Sequence, residues 1–194
     1  MIVLASTSIT RQALLRNAGV PVTTMRPDVD EQDIIVQNPN WNPAETSRAL
    51  ARAKALDVSR KSADAIVIGA DQVLTFRHRI YSKPADIAAA SLQLKELRGQ
   101  THELITSVSC ARHGEEVWTS TGHAHLRMRN FSDAFLESYL ARNGENCMSS
   151  VGGYQIEGLG SQLFDSVEGD YFIILGLPLF PLMQFLRSIG ELQS

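Results

Sequence analysis

The sequence predicts a mixed α/β fold, and three observations carry that prediction. Apolar strand-like runs alternate along the chain with segments of helical period. The β-branched run Ile66-Val67-Ile68 ends at Gly69-Ala70-Asp71, as a strand buried on both faces would, with a carboxylate at its end. Two consecutive strand-like segments, 102–111 and 117–129, meet across His113-Gly114, which reads as a hairpin and makes the sheet mixed.

A short apolar strand over 2–4 opens the chain, and the hydroxyl-rich Ser6-Thr7-Ser8 leads into a helix over 9–18 closed by Gly19. Strand, hydroxyl loop and helix form a phosphate-binding layout. The first amides of the helix and the Ser6 and Ser8 hydroxyls can hold an anion, and Arg11 adds a planar charged fork. The plainer reading is that Ser8 caps the helix and Arg11 is solvated. The Gly-Lys-Ser/Thr ending of a P-loop is absent.

A strand over 20–25 is followed by the acidic Asp28-Val29-Asp30-Glu31, read as a loop. Residues 38–43, with two Pro and three Asn around Trp41, read as a mobile loop. Lys54 falls in an alanine-rich helix over 46–56, where a lysine is ordinarily exposed. The strand over 65–72 then delivers Asp71 and Gln72 to the end of the sheet where open α/β folds place their ligands. Asp71 is therefore a candidate catalytic or metal-binding group.

Ser82-Lys83-Pro84 introduces a helix over 85–97, and a further helix is expected over 132–141. Residues 152–160 hold four glycines around Tyr154 and Glu157, a backbone that turns tightly or is closely approached. The apolar run 171–175 reads as a last strand. The strongly apolar helix over 179–189 is either packed core or part of a homodimer interface. Together the clusters offer carboxylates for a divalent cation and a water, and cations for phosphate oxygens.

The chain has 194 residues, 44% of them hydrophobic, enough for one substantial core in a single domain or in two lobes that share it. A net charge of −3 argues against a general nucleic-acid surface. Cys110 and Cys147 lack metal-ligand spacing, and reduced thiols in a cytoplasmic protein are the expectation. His123 and His125 read as surface or packed histidines rather than a zinc site. No apolar run reaches bilayer length, so no membrane partner is expected.

With these clusters assembled, the chain resembles the Maf-like nucleotide pyrophosphatase family nearly end to end. The resemblance rests on Leu4-Ala5-Ser6-Thr7-Ser8 with Arg11, Asp30-Glu31, Lys54-Ala55, Gly69-Ala70-Asp71-Gln72-Val73, Lys83-Pro84, Thr101-His102 with Thr106, Gly153-Tyr154 through Gly160, and Gly176-Leu177-Pro178-Leu179. It implies one Maf-like domain over 1–194, an elongated mixed sheet with flanking helices and a cleft between two lobes, similar to the inosine triphosphate pyrophosphatases. It also implies hydrolysis of a nucleoside triphosphate to the monophosphate and pyrophosphate.

In that reading Asp71 accepts the proton of the attacking water, and Arg11, Lys54 and Lys83 act on the phosphates. Glu31 and Asp71 hold Mg²⁺, Mn²⁺ or Co²⁺. Ser6, Ser8, Thr10, Gln72, Tyr154 and Glu157 face the substrate, with Tyr154 stacking on the base or packing its loop. The pairing of Gln72 with Glu157 looks like the 7-methyl-GTP branch, whereas the dTTP and UTP branch usually has Thr and Gln there. Glu157 would accept from the guanine N1–H and amine, and Gln72 would donate to O6. The alternatives are a dTTP or UTP pyrophosphatase and a non-catalytic nucleotide-binding regulator of septum formation.

Overall fold

The computed structural model describes residues 1–193. Seven strands form one mixed sheet: β1 (Ile2–Ala5), β2 (Val22–Thr24), β3 (Ile66–Phe76), β4 (Arg79–Tyr81), β5 (Thr101–Arg112), β6 (Glu115–Met128) and β7 (Phe164–Gly169). They pair in the order β2-β1-β3-β5-β6-β7, with β4 on β3. The helices are α1 (Ile9–Asn17), α2 (Glu31–Gln37), α3 (Pro43–Lys61), α4 (Ile87–Leu97), α5 (Asp133–Asn143), α6 (Tyr171–Ile174) and α7 (Leu179–Ser188). The chain divides into two compact units, and β3, β5 and β6 each contribute to both.

The first unit comprises 1–72, 105–122 and the chain from 171 onward. Here β1 pairs in parallel with β2 and β3, and its residues alternate between two buried layers. Ile2 and Leu4 join Leu15, Ile68, Val108, Leu177, Leu182 and Leu186 in one core cluster, while Val3 and Ala5 pack with Val58 and Val67 in another. The α7 residues Leu179, Leu182 and Leu186 thus belong to the packed core, the first of the two readings the sequence left open. The register Ala5↔Gly69 sets the hydroxyl loop that follows β1 beside Ala70 and Asp71.

Close approach of β3 to α3 depends on Gly69. A Cβ there would lie 2.3 Å from the Ala51 carbonyl oxygen and 2.6 Å from the Ala55 amide nitrogen. Lys54 sits on this turn of α3, so the same contact brings its side chain to the middle of β3. Gly69→Ala is expected to destabilise the fold by about 1–3 kcal/mol or more, because backbone rather than a flexible side chain must give way. A chemical denaturation midpoint measures this directly, and an unchanged midpoint would show that the helix can retreat freely.

The second unit comprises 73–104 and 123–170. Asp86 and Ser132 cap α4 and α5, and buried Leu94, Leu97, Met128, Leu136 and Leu163 form its interior. On the edge, β7 pairs antiparallel with β6, His125 facing Glu168.

Several expectations are corrected by the structure. The acidic stretch read as a loop starts α2: Asp30 caps it through the Asp33 amide at 2.9 Å, and Glu31 is its first residue. The segment 38–43 is a loop as far as Asn42, where Asn42 and Glu45 form a reciprocal capping box and Pro43 opens α3. The run 171–175, expected as a strand, begins with the helical turn of α6, because side chains from the neighbouring strands bind its carbonyls. β4 and β7 were not expected at all; β7 is polar and exposed, as an edge strand can be.

Candidate active site

The middle of β3 carries the chemistry: the strand expected to end at Asp71 and Gln72 runs on to Phe76, and Asp71 lies two residues past its last pair with β1. The Asp71 carboxylate accepts from the Lys54 ammonium at 2.6 Å, and Glu31 at the start of α2 accepts from the same nitrogen at 2.9 Å. Lys54 and Asp71 are buried, while the Glu31 side chain is half exposed. Contrary to the usual fate of a helical lysine, Lys54 is held inside by two carboxylates. Ser47, about two helical turns before it, donates to the Asp71 carbonyl at 3.1 Å and holds β3 against α3.

Burial pushes the Asp71 carboxyl above the ordinary aspartate range. Lys54 and Arg11 pull it back down, and Glu31 pushes it further up. Burial likewise lowers the Arg11 guanidinium, with Asp71 and then Glu31 opposing. Arg11 therefore belongs to the same electrostatic cluster rather than to bulk solvent. Its Nε donates to the Gly176 carbonyl at 2.7 Å, leaving both terminal nitrogens without a partner among the described residues.

Both loop hydroxyls have structural duties. Ser8 caps α1 by accepting from the Arg11 amide at 3.3 Å, and Ser6 accepts from the Ser8 amide at 3.1 Å. Each keeps its own proton for donation, so capping and anion binding are compatible. Thr10 lies half-buried on the first turn of the same helix.

Two residues expected at the substrate make contacts within the fold. The Gln72 amide nitrogen donates to Thr106 Oγ1 at 2.9 Å and to the Ile173 and Ile174 carbonyls at 2.9 and 3.1 Å. Its two protons are shared among these three acceptors. Tyr154 is buried, with its hydroxyl 2.6 Å from His102 Nε2 and its ring edge-on to Phe164. These contacts pack the loop that carries Tyr154. Lys83 and Glu157 are exposed residues of the second unit.

Sequence reasoning assigned no role to Ser47 or Thr106. The signal for Thr106 was a hydroxyl inside the apolar run of β5, where a buried polar group must find a partner. A cavity of about 770 Å³, bordered by Val29, Ile34, Trp41, Arg48, Arg52 and Leu56, includes none of Arg11, Lys54 and Asp71. Among the described residues no cluster of three or more His, Cys, Asp or Glu is arranged to hold a metal ion. Two hard carboxylates converging on one ammonium fit a cation of the magnesium type, which takes few protein ligands and completes its shell with phosphate and water.

The family model for Maf-like proteins matches residues 1–189. The chain belongs to the Maf family. A nucleoside triphosphate pyrophosphatase of Rhodopseudomonas palustris is 45% identical over 96% of this chain and 93% of that protein. The 7-methyl-GTP pyrophosphatase of Brucella abortus is also 45% identical, over 96% of this Maf chain and 94% of its own length. A nucleoside triphosphate pyrophosphatase of Paramagnetospirillum magneticum reaches 49% over 97% and 98%. Among solved structures, a HAM1 protein from Coxiella burnetii aligns with TM-score 0.45 and 15% identity, over 67% of this chain and 73% of that one. No helix of the described residues is long and apolar enough to cross a membrane.

Proposed function

We propose that this Maf protein is a hydrolase that converts a nucleoside triphosphate to the monophosphate and pyrophosphate, with 7-methyl-GTP as its preferred substrate. The observation that carries the reaction is the buried carboxylate of Asp71, pushed above the ordinary aspartate range by burial and held by Lys54 beside Arg11. A module that only bound nucleotide would have no need of a buried base. The identities to pyrophosphatases along nearly the whole chain support the same reading.

With Lys54 on Oδ1, the second Asp71 oxygen is the one to orient the attacking water and take its proton. The terminal nitrogens of Arg11 and the ammonium of Lys54 face charge that grows on the phosphate oxygens, and the resemblance assigns Lys83 to the same task. The Ser6 and Ser8 hydroxyls and the first amides of α1 add neutral donors for the same oxygens. Glu31 and Asp71 would hold a divalent cation, which supplies charge neutralisation at the triphosphate when bound.

Selectivity rests on Glu157 and on the name of the Brucella relative. A carboxylate accepts from the guanine N1–H and exocyclic amine, and it favours the cationic N7-methylated ring. Gln72 is the other member of that pairing in the resemblance, with its amide nitrogen bound to Thr106, Ile173 and Ile174. A panel of nucleotides with Mg²⁺, assayed for pyrophosphate, is expected to show 7-methyl-GTP hydrolysed faster than dTTP or UTP. Glu157→Gln is expected to shrink that preference about tenfold, the loss of charge in the hydrogen bonds. Fastest turnover of dTTP or UTP would overturn the substrate reading and leave the reaction standing.

A further inference from the structure

His102 is a buried ionisable side chain that the proposed reaction does not use. It stands on β5, 2% exposed, and its Nε2 meets the Tyr154 hydroxyl at 2.6 Å. Its Nδ1 is the one buried side-chain nitrogen or oxygen without a hydrogen-bond partner among the described residues, so Tyr154 is the ring's single polar contact. Burial lowers the imidazole to about 4, which leaves it neutral at physiological pH. A histidine kept half-satisfied in the interior calls for a reason beyond packing.

The reason lies in what Tyr154 holds. Phe164 packs edge-on against its ring at 4.8 Å, and a Cβ on Gly152 would lie 2.2 Å from Tyr154 Cε1, so the ring rests on bare backbone. The helices α4 and α5 hold this loop only as far as Gly153, through Gln93 on the Val151 carbonyl and Tyr139 on the Gly153 carbonyl. The bond from His102 is the last tie from outside before the chain turns. Beyond it, the Gly158 amide donates to the Gln155 carbonyl at 3.2 Å, and a Cβ on Gly160 would lie 2.4 Å from that same oxygen. Glu157 is carried on this turn. Its exposed side chain has no hydrogen bond or ion pair to any described residue, so the backbone of the turn alone aims the carboxylate. All of these residues belong to the second unit.

We propose that His102 and Tyr154 are positioning residues for Glu157, fixing from β5 the turn that presents its carboxylate to the nucleotide base. The inference rests on the reading of Glu157 as the base-selecting group. Without the tie, the turn keeps its own hydrogen bonds but shifts as a body, and the contact of Glu157 with the base weakens. That contact is made in the ground state and the transition state alike, so its loss appears in KM.

The test is the paired variant His102→Phe with Tyr154→Phe, set beside Glu157→Gln and the triple variant, measured as kcat and KM on 7-methyl-GTP and dTTP. Replacing both partners of a buried hydrogen bond by apolar rings leaves neither unsatisfied, so the denaturation midpoint should change little. The preference for 7-methyl-GTP is expected to fall about three- to tenfold through a higher KM, and no further than in Glu157→Gln. The triple variant should lose no more than Glu157→Gln alone. An unchanged preference in the paired variant, losses that multiply in the triple variant, or an equal fall in kcat on both nucleotides overturns the proposal. Should Glu157→Gln itself leave the preference intact, the base-selecting reading falls and the positioning role falls with it. If the paired variant does not fold, Tyr154→Phe alone cuts the same bond, and the same kinetic criteria apply.

Discussion

Asp71→Asn is expected to lower pyrophosphate release by about 10²–10⁴-fold, the contribution of a positioned general base. The amide keeps the shape of the carboxylate and one oxygen that can accept from Lys54, so the fold and much of the nucleotide affinity should persist. It cannot take a proton from water. The loss should therefore appear in kcat, with the nucleotide dissociation constant, measured by calorimetry, changed far less. Turnover close to that of the unsubstituted protein would remove Asp71 from the base role. A collapse of nucleotide binding at high Mg²⁺ would show instead that its main duty is electrostatic.

The chemistry of Asp71 was legible in the sequence because a carboxylate closing a buried β-branched run is a local signal, although the strand itself continues to Phe76. Its partner Lys54 was less so. Nothing in an alanine-rich helix says that a lysine is buried; that follows from Gly69, fifteen residues away, which lets strand and helix backbones touch. The acidic stretch before α2 read as a loop although Asp30 offered a cap and Glu31 an acidic first turn, because a helix of seven residues carries too short a period to recognise. Likewise Tyr171–Ile174 has the composition of a strand and the carbonyl partners of a helix end. Those partners come from Gln72 and Thr106, which a linear reading does not bring together.

Gln72 shows the same limit at the site itself. Its place after Asp71 was legible, but not the direction of its amide, and the chemistry differs completely between the two directions. Inward, the nitrogen holds a turn; outward, it would contact a base. In the structure the nitrogen binds acceptors on β5 and at α6, and none of them is a neighbour in sequence.

Lys54→Ala tests the other half of the site and is expected to have effects on both activity and stability. The Lys54 and Asp71 side chains are each 9% exposed, so removing the ammonium leaves a buried carboxylate unpaired. Breaking a buried pair in this way costs about 3–5 kcal/mol. The pH dependence has a definite sign. Burial already holds the Asp71 carboxyl above its ordinary range, so its contribution to stability is present below the unfolded value and lost as pH rises through the folded one. Without Lys54 the folded value rises further, and the stability deficit of the variant should shrink as pH falls and Asp71 takes up a proton. The acid limb of kcat/KM should move upward for the same reason, since the base is lost at a higher pH, and turnover at neutral pH should fall by about 10²-fold or more. Denaturation midpoints and rate profiles measured across the same pH series separate the two effects. A variant with unchanged midpoint and unchanged acid limb would mean that Lys54 is a solvated helical lysine after all, and that Asp71 is held by something other than the pair seen at 2.6 Å.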